Sequence, residues 1–229
     1  MRQVFVHNPY VYSSEPPEIK NVYFRYGVFE RLKRGTPVIH GGAHGRFYFL
    51  KKGLGACIFT DKNGRSHIFT LVLPGQAFGD IDGITRETVN CTDMVIRPSE
   101  VLSIDYETWY KHIGSRAEIL LISAKSIINR HDAMMEQMIA NYTLRIPERI
   151  KVLLKALITT EFNDYRIGWN KVPFNLSNVE YAALVGATRV SISRLFTEWS
   201  FEGLLKKNNR ELFVHTDLLA DVYDWMIAD

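Results

Sequence analysis

Between residues 106 and 142 the chain holds one glycine, Gly114, and no proline. Upstream, turn signals arrive every few residues: RGTP at 34–37, GGAHG at 41–45, KKGLG at 51–55, DKNG at 61–64 and LPGQ at 73–76. A chain divided in this way does not form one kind of structure throughout. Residues 1 to about 105 are dense in aromatic and β-branched residues. They read as strands and turns at regular spacing, the pattern of a sandwich or barrel. Asn63-Gly64, between LGACIFT and RSHIFTLVL, marks a hairpin turn.

The uninterrupted stretch reads as a long helix. Ile113, Ala117, Leu120, Ala124, Ile127, His131, Met134 and Met138 recur at spacings of 4, 3, 4, 3, 4, 3 and 4. Leu121, Ile128, Met135 and Tyr142 widen this heptad seam. A seam sustained so far predicts pairing with a second copy of the chain. The alternative is an amphipathic helix packed on its own domain. His131, the one polar seam residue, reads as a packed or register-setting side chain rather than a ligand-binding one.

Arg145-Ile146-Pro147-Glu148 breaks that helix, and Pro147 suits the first turn of another, over residues 147–162. Residues 163–175 read as a loop. Ser177 with Glu180 then forms a capping box. Gly186 sits where a helix needs a left-handed residue to stop, and Thr188 caps a second helix running to Trp199 or Ser200. Two helices joined by so short a turn are a helix-turn-helix. At 100° per residue Ile192, Leu195, Phe196 and Trp199 face a core. Val190, Ser193, Arg194 and Thr197 lie opposite, flanked by Arg189. That outer face is short, hydroxylated and basic, so a DNA base edge can approach it, and the helix N-terminus favours phosphate. Gly203 stops the chain, Lys207-Asn208-Asn209-Arg210 reads as a tight turn, and Glu211–His215 returns as a strand. Lys206, Lys207 and Arg210 on this hairpin suit phosphate contacts. The candidate DNA-contacting residues are thus the two caps, Ser177 and Thr188, with Arg189, Val190, Ser193, Arg194 and Thr197, and the three hairpin cations.

Composition excludes several classes. No run of eighteen apolar residues spans a membrane, and MRQVFVHNPYVYSSEPPEIK lacks the design of a signal peptide. A cytoplasmic protein is expected. Cys57 and Cys91 are the only cysteines, too few for a disulfide framework or a four-cysteine cluster, and read as reduced thiols. Net charge is +3, and residues 146–229 hold ten Lys/Arg against eleven Asp/Glu. A nucleic-acid surface must therefore come from local placement of charge. The rival class is a cupin-like jelly-roll metalloenzyme using His7, His40, His44 and His67. His40 and His44 fall in a Gly-rich turn, with no Glu at matching spacing, so an enzyme is not expected, and no metal site is assigned.

LSNVEYAALVGATRVSISRLFTEWSFEGLL resembles, nearly position for position, the helix-turn-helix of the cyclic AMP receptor protein / fumarate-nitrate reduction regulator (CRP/FNR) family. RFYFLKKGLG and LVLPGQAFGDI are similar to its sensor strands. The resemblance implies an α+β fold. A jelly-roll, cyclic-nucleotide-binding-like sensor domain at 1–105 precedes a dimerisation helix and hinge at 106–145 and a winged helix-turn-helix at 146–229. It implies a homodimer on an inverted-repeat site in double-stranded DNA, with RNA polymerase as a partner of an activator, and Arg189, Val190, Ser193 and Arg194 in the base-reading positions. Many members carry Glu where this chain has Val190. A glutamate accepts from cytosine N4, whereas valine touches only a thymine methyl. The resemblance also implies an effector pocket at Phe78, Gly79, Asp80, Arg86, Val89, Asn90, Met134 and Met135. Members that bind cyclic nucleotides have Gly-Glu and Arg-Ser pairs. Here Gly79-Asp80 and Val89-Asn90 stand in their places, and Met134-Met135 replaces the polar pair that meets the base. Cyclic AMP is therefore not the expected effector. With no N-terminal cysteine cluster, no iron-sulfur cluster is expected either, and no other cofactor is identified. The expectation is an unidentified small effector, or none.

Overall fold

The computed structural model describes residues 9–40, 46–85, 91–162, 166–209 and 211–220. In chain order the elements are α1 (Pro17–Tyr26), β1 (Val28–Leu32), β2 (Pro37–His40), β3 (Arg46–Lys52), β4 (Gly55–Thr60), β5 (Ser66–Val72), β6 (Ala77–Phe78), α2 (Asp80–Thr85), β7 (Thr92–Val95), β8 (Ser99–Asp105) and α3 (Tyr106–Trp109). After a π-helical turn (Tyr110–Gly114) come α4 (Ala117–Thr143), α5 (Ile146–Phe162), β9 (Trp169–Lys171), α6 (Asn178–Val185), α7 (Arg189–Phe201), β10 (Leu205–Asn208), β11 (Glu211–His215) and α8 (Thr216–Leu219). Two compact units share the chain. One is residues 13–131. The other is residues 132–229 together with the N-terminal residues through Tyr12, and the division falls within α4.

In the first unit, two four-stranded antiparallel sheets run in the orders β1-β8-β3-β6 and β2-β7-β4-β5. The alternation along β3 assigns its two faces. Tyr48 and Leu50 join Val38, Val72, Val95 and Val101 in a core drawn from both sheets. Phe47 and Phe49 face the other way, against Ile19, Val22 and Tyr23 of α1 and against Trp109 and Ile113. The expected β-sandwich with helices is what the structure shows. One correction applies at the N-terminal end. Residues 1–105 are not all strands and turns, because Pro17 and Glu18 start α1, whose Ile19, Val22 and Tyr23 are buried at helical spacing. Asn63-Gly64 does lie in the β4–β5 hairpin, with Gly64 at φ 76°, and Asp61 Oδ1 accepts from the backbone N–H groups of Asn63 and Arg65.

The stretch from 106 is not one helix. The Trp109 ring stacks on Phe47 with centroids 4.9 Å apart. A Cβ at Gly114 would stand 2.8 Å from the Trp109 ring. The chain passes through the π-helical turn there, and α4 starts afresh at Ala117. Ile113 is therefore fully buried in the sandwich core and is no part of a dimer seam, a correction to the sequence reading.

In the second unit α5 buries Ile150, Leu153, Leu154, Leu157 and Ile158. Residues 163–175 are not all loop, since β9 pairs with β11 to give a three-stranded sheet in the order β10-β11-β9. Side chains clasp the carboxyl end of α6. Leu184 O accepts from Gln137 Nε2 and Asn141 Nδ2, each at 3.2 Å, and Val185 O accepts from Arg149 Nη1 at 2.9 Å. Arg149 Nε also donates to Leu144 O, and the Tyr10 hydroxyl donates to Asn141 Oδ1. These bonds satisfy carbonyls that a helix end otherwise leaves unpaired. Among the described residues no helix is long and apolar enough to cross a membrane.

Candidate nucleic-acid interface and effector region

The polar face of α7 is positioned by its caps. Ser177 Oγ accepts from Glu180 N, and Glu180 Oε2 accepts from Ser177 N at 2.6 Å, a complete capping box that starts α6. Gly186 ends α6 at φ 65° and ψ 34°. Thr188 Oγ1 accepts from Ser191 N at 3.1 Å and starts α7. Ile192, Leu195, Phe196 and Trp199 are buried, and the Tyr181 ring meets Phe196 edge-on with centroids 5.1 Å apart. Arg189, Val190, Ser193, Arg194 and Thr197 are exposed together on the opposite side, and Ser177 and Thr188 are exposed at their helix ends. Thr197 donates to Ser193 O, which leaves its hydroxyl lone pairs outward. No acidic residue occupies the first turn of α7, so its N-terminal partial charge is not offset locally.

β10 runs through Asn208, so Lys207 stands on a strand rather than in the turn, which bends at Asn209 with φ 46°. Lys206 Nζ lies 3.9 Å from the Trp169 ring centroid, and Lys207 Nζ lies 5.7 Å from that of Phe196. Aromatic faces thus hold two cations in place while both residues remain exposed. Trp169 is the contribution that sequence reasoning missed; a three-residue strand in a polar segment gives no periodic signal. Arg210 lies outside the described residues.

Arg86, Val89 and Asn90 of the expected effector set likewise lie outside the described residues. Phe78 is buried in the core between the sheets, stacked on Tyr48. Gly79 takes φ 86° and turns the chain into α2. Asp80 is buried, and its Oδ1 accepts from Arg130 Nη1 at 2.6 Å. Arg130 Nη2 also approaches Glu15 Oε1 at 3.5 Å, while Glu15 accepts from Ser126 Oγ at 2.6 Å and Ala77 N at 3.1 Å. Burial pushes the Glu15 carboxyl up, against the pull of Arg130 and these donors. Two buried carboxylates thus share one buried guanidinium. The cation at Asp80 is Arg130 of α4, and no motif in the chain points to Glu15 or Ser126 beside it. The signal that could have found the cluster is that Ser123, Ser126 and Arg130 fall at helical spacing opposite the apolar seam.

Along α4 the buried face is small or polar: Ser123, Ser126 and Arg130 in the first unit, and Ala133, Gln137 and Ala140 in the second. The seam faces outward. Leu120, Leu121, Ile128, Met135, Met138 and Tyr142 are exposed, as are Ala117 and His131, and Ala124, Ile127 and Met134 are half-buried. Met134 and Met135 therefore belong to this outward stripe and not to the buried face that carries Arg130. Of the histidines weighed as metal ligands, His67 Nε2 lies 3.2 Å from Asp61 Oδ2 of the neighbouring turn. His7 and His44, and the His40 side chain, lie outside the described residues.

Residues 29–115 match the cyclic nucleotide-binding domain family. A search of curated proteins by sequence found no match. The chain is similar to the structure of FixK2 from Bradyrhizobium japonicum, with TM-score 0.71 and 16% identity, covering 86% of this chain and 98% of that one. It is similar also to the c-di-GMP responsive global regulator CLP of Xanthomonas campestris, with TM-score 0.69, 19% identity and coverages of 86% and 98%. A CRP-family transcriptional regulator from Thermus thermophilus gives TM-score 0.69, 18% identity and coverages of 86% and 99%. At these identities the likeness is one of fold. The chain carries a cyclic nucleotide-binding domain at residues 29–115 and has the fold of the CRP/FNR transcriptional regulators.

Proposed function

We propose that the chain is a homodimeric, sequence-specific DNA-binding transcription regulator, not an enzyme, that answers to a small effector other than cyclic AMP or to none. The observation that carries this reading is the outer face of α7. Arg189, Val190, Ser193, Arg194 and Thr197 are exposed in one stripe on a helix whose opposite stripe is buried. Its fold neighbours include transcriptional regulators, which supports the same conclusion. The second copy is called for by the outward apolar stripe of α4, a helix of 27 residues and so about 40 Å long. A stripe of that length left in water is a recognition surface. The hinge near Asn141–Pro147, where α4 gives way to α5, is the coupling element, and RNA polymerase is the partner when the protein activates. Against cyclic AMP stands Asp80. The carboxylate at the ribose-binding position of the resemblance is already matched by Arg130.

Selecting bound sites from a random double-stranded DNA library tests the reading. The expected product is an inverted repeat with half-site centres about 34–36 Å apart. On that site Arg194→Ala costs about 1–3 kcal/mol per half-site and leaves random DNA nearly unaffected. Lys207→Ala weakens both alike and lowers the salt slope by about one. If Arg194→Ala leaves the ratio of selected to random affinity unchanged, the face does not read bases. Calorimetry with cyclic AMP is expected to show no micromolar binding, and tight stoichiometric binding would overturn that part.

A further inference from the structure

The two cysteines meet on the second sheet of the sandwich. β4 and β7 pair antiparallel, with Cys57 opposite Asp93 and Ile58 opposite Thr92. Directly opposed residues point to the same face, and Cys91, two residues before Asp93, returns to that face one diagonal step from Cys57. Cys91 lies in a bend ahead of β7, just past the last residue of β7 that pairs with β4. The two sulfurs interact with each other, and the Cys57 thiol also meets Asp93. The interaction with Cys91, then burial, pushes the Cys57 thiol far up. The same interaction holds the Cys91 thiol below its ordinary value, against burial and the nearby Asp93. Both residues are half-buried and no disulfide joins them. Of the two sulfurs, Cys91 is thus the one favoured as the thiolate, and neither is fully covered.

We propose that Cys57 and Cys91 are a redox-active dithiol, which hydrogen peroxide or an organic hydroperoxide converts to an intrachain disulfide between β4 and the entry to β7. The Cys91 thiolate attacks a peroxide oxygen. An S–O bond forms, the O–O bond breaks, and hydroxide or alkoxide leaves and takes a proton from solvent. The Cys57 sulfur then attacks the Cys91 sulfenic sulfur. The S–S bond forms, the S–O bond breaks, and the Cys57 proton departs with that oxygen as water. The sulfur pair loses two electrons and the peroxide gains them. Diagonal strand neighbours stand about 7–8 Å apart, just beyond the usual Cα span of a disulfide, about 4.4–6.8 Å. Closure therefore draws the bend at Cys91 toward β4, and the resulting bond is strained and easily reduced.

The test uses the full-length protein and stoichiometric hydrogen peroxide, followed by thiol alkylation and non-reducing peptide mass mapping. The two thiols per chain are expected to fall to none, with the Cys57 and Cys91 peptides joined within one chain and released by dithiothreitol. In Cys57→Ser, dimedone traps a sulfenic acid at Cys91. In Cys91→Ser, the same dose leaves Cys57 a thiol. Sulfinic or sulfonic acid at Cys91 of the unaltered chain without a linked peptide, or linkage only between chains, would overturn the proposal. The chemistry rests on the sandwich and its two cysteines, and stands or falls apart from the DNA-binding reading.

Discussion

Replacing Arg130 with methionine removes the cation from a buried cluster and keeps its stem. In the native chain the Arg130 side chain is 9% exposed, and those of Asp80 and Glu15 are 10% and 2%. Removing one partner of a buried pair costs about 3–5 kcal/mol, because the other charge stays buried and unpaired. Most of the loss falls on Asp80, whose contact is 2.6 Å; Glu15 keeps donors in Ser126 and Ala77. A ceiling follows from protonation. Neutralising a carboxyl of ordinary value near pH 7.5 costs about 5 kcal/mol, and near pH 5 about 1.5 kcal/mol, at about 1.4 kcal/mol per pH unit. A carboxyl buried without a cation takes up a proton more readily than one in the unfolded chain. The penalty is therefore absent below the unfolded value and grows as pH climbs toward the folded one. Urea denaturation of the variant should show a loss of about 3–5 kcal/mol near pH 7.5, shrinking below about 2 kcal/mol near pH 5. Arg130→Met combined with Asp80→Asn should recover most of it. A loss under about 1 kcal/mol, or one equal at both pH values, refutes the reasoning.

Further outcomes follow from other sites. Glu136 is buried on α4, and burial with the neighbouring Asp132 carries its carboxyl up to about 7. A raised acid favours the fold at low pH and loses that contribution as pH rises through 7, so Glu136→Gln should stabilise the protein near pH 8, by up to about 3 kcal/mol. It should do little near pH 4, and a denaturation midpoint that shifts equally at both pH values argues against it. Gly186→Ala meets no close atom, since its Cβ would lie 3.7 Å from Arg149 Nη1. The cost should be backbone strain alone, about 1–2 kcal/mol in thermal or urea unfolding. Leu121→Asp with Ile128→Asp should give a monomer in sedimentation, and a surviving tight dimer would place the subunit contact elsewhere.

The helix-turn-helix was legible because its signals are local. A capping box, a left-handed glycine and a hydroxyl cap each act within four residues, and the structure has all three at Ser177, Gly186 and Thr188. The strands of the sandwich were legible for the same reason, since turn residues and alternation are short-range. What failed was decided at long range. Ile113 fits a heptad by spacing, yet Trp109 stacked on Phe47 fixes the chain so that Ile113 enters the sandwich. The carboxylates at Arg130 come from residues 50 and 115 positions away, which spacing along one helix does not show. Spacing along α4 marks the apolar face, and the sequence alone leaves open whether that face meets a second copy or packs on its own domain. Here the polar face is buried in the chain, and the apolar face is left outward.

The side chains that close α6 are arranged like a latch. Gln137 and Asn141 stand one turn apart on α4 and both donate to the single carbonyl of Leu184. A roll of that part of α4 carries both amides sideways at once, so the two bonds survive together or fail together. Arg149 reinforces the choice by bridging Leu144 and Val185 across the α4–α5 junction. Motion reaching this end of α4 is therefore not absorbed gradually. Either α6, with α7 fixed to it through Tyr181 and Phe196, turns with α4 as one lever, or the helix end lets go and re-seats. α4 and α7 are thus joined through a few side-chain bonds that act together.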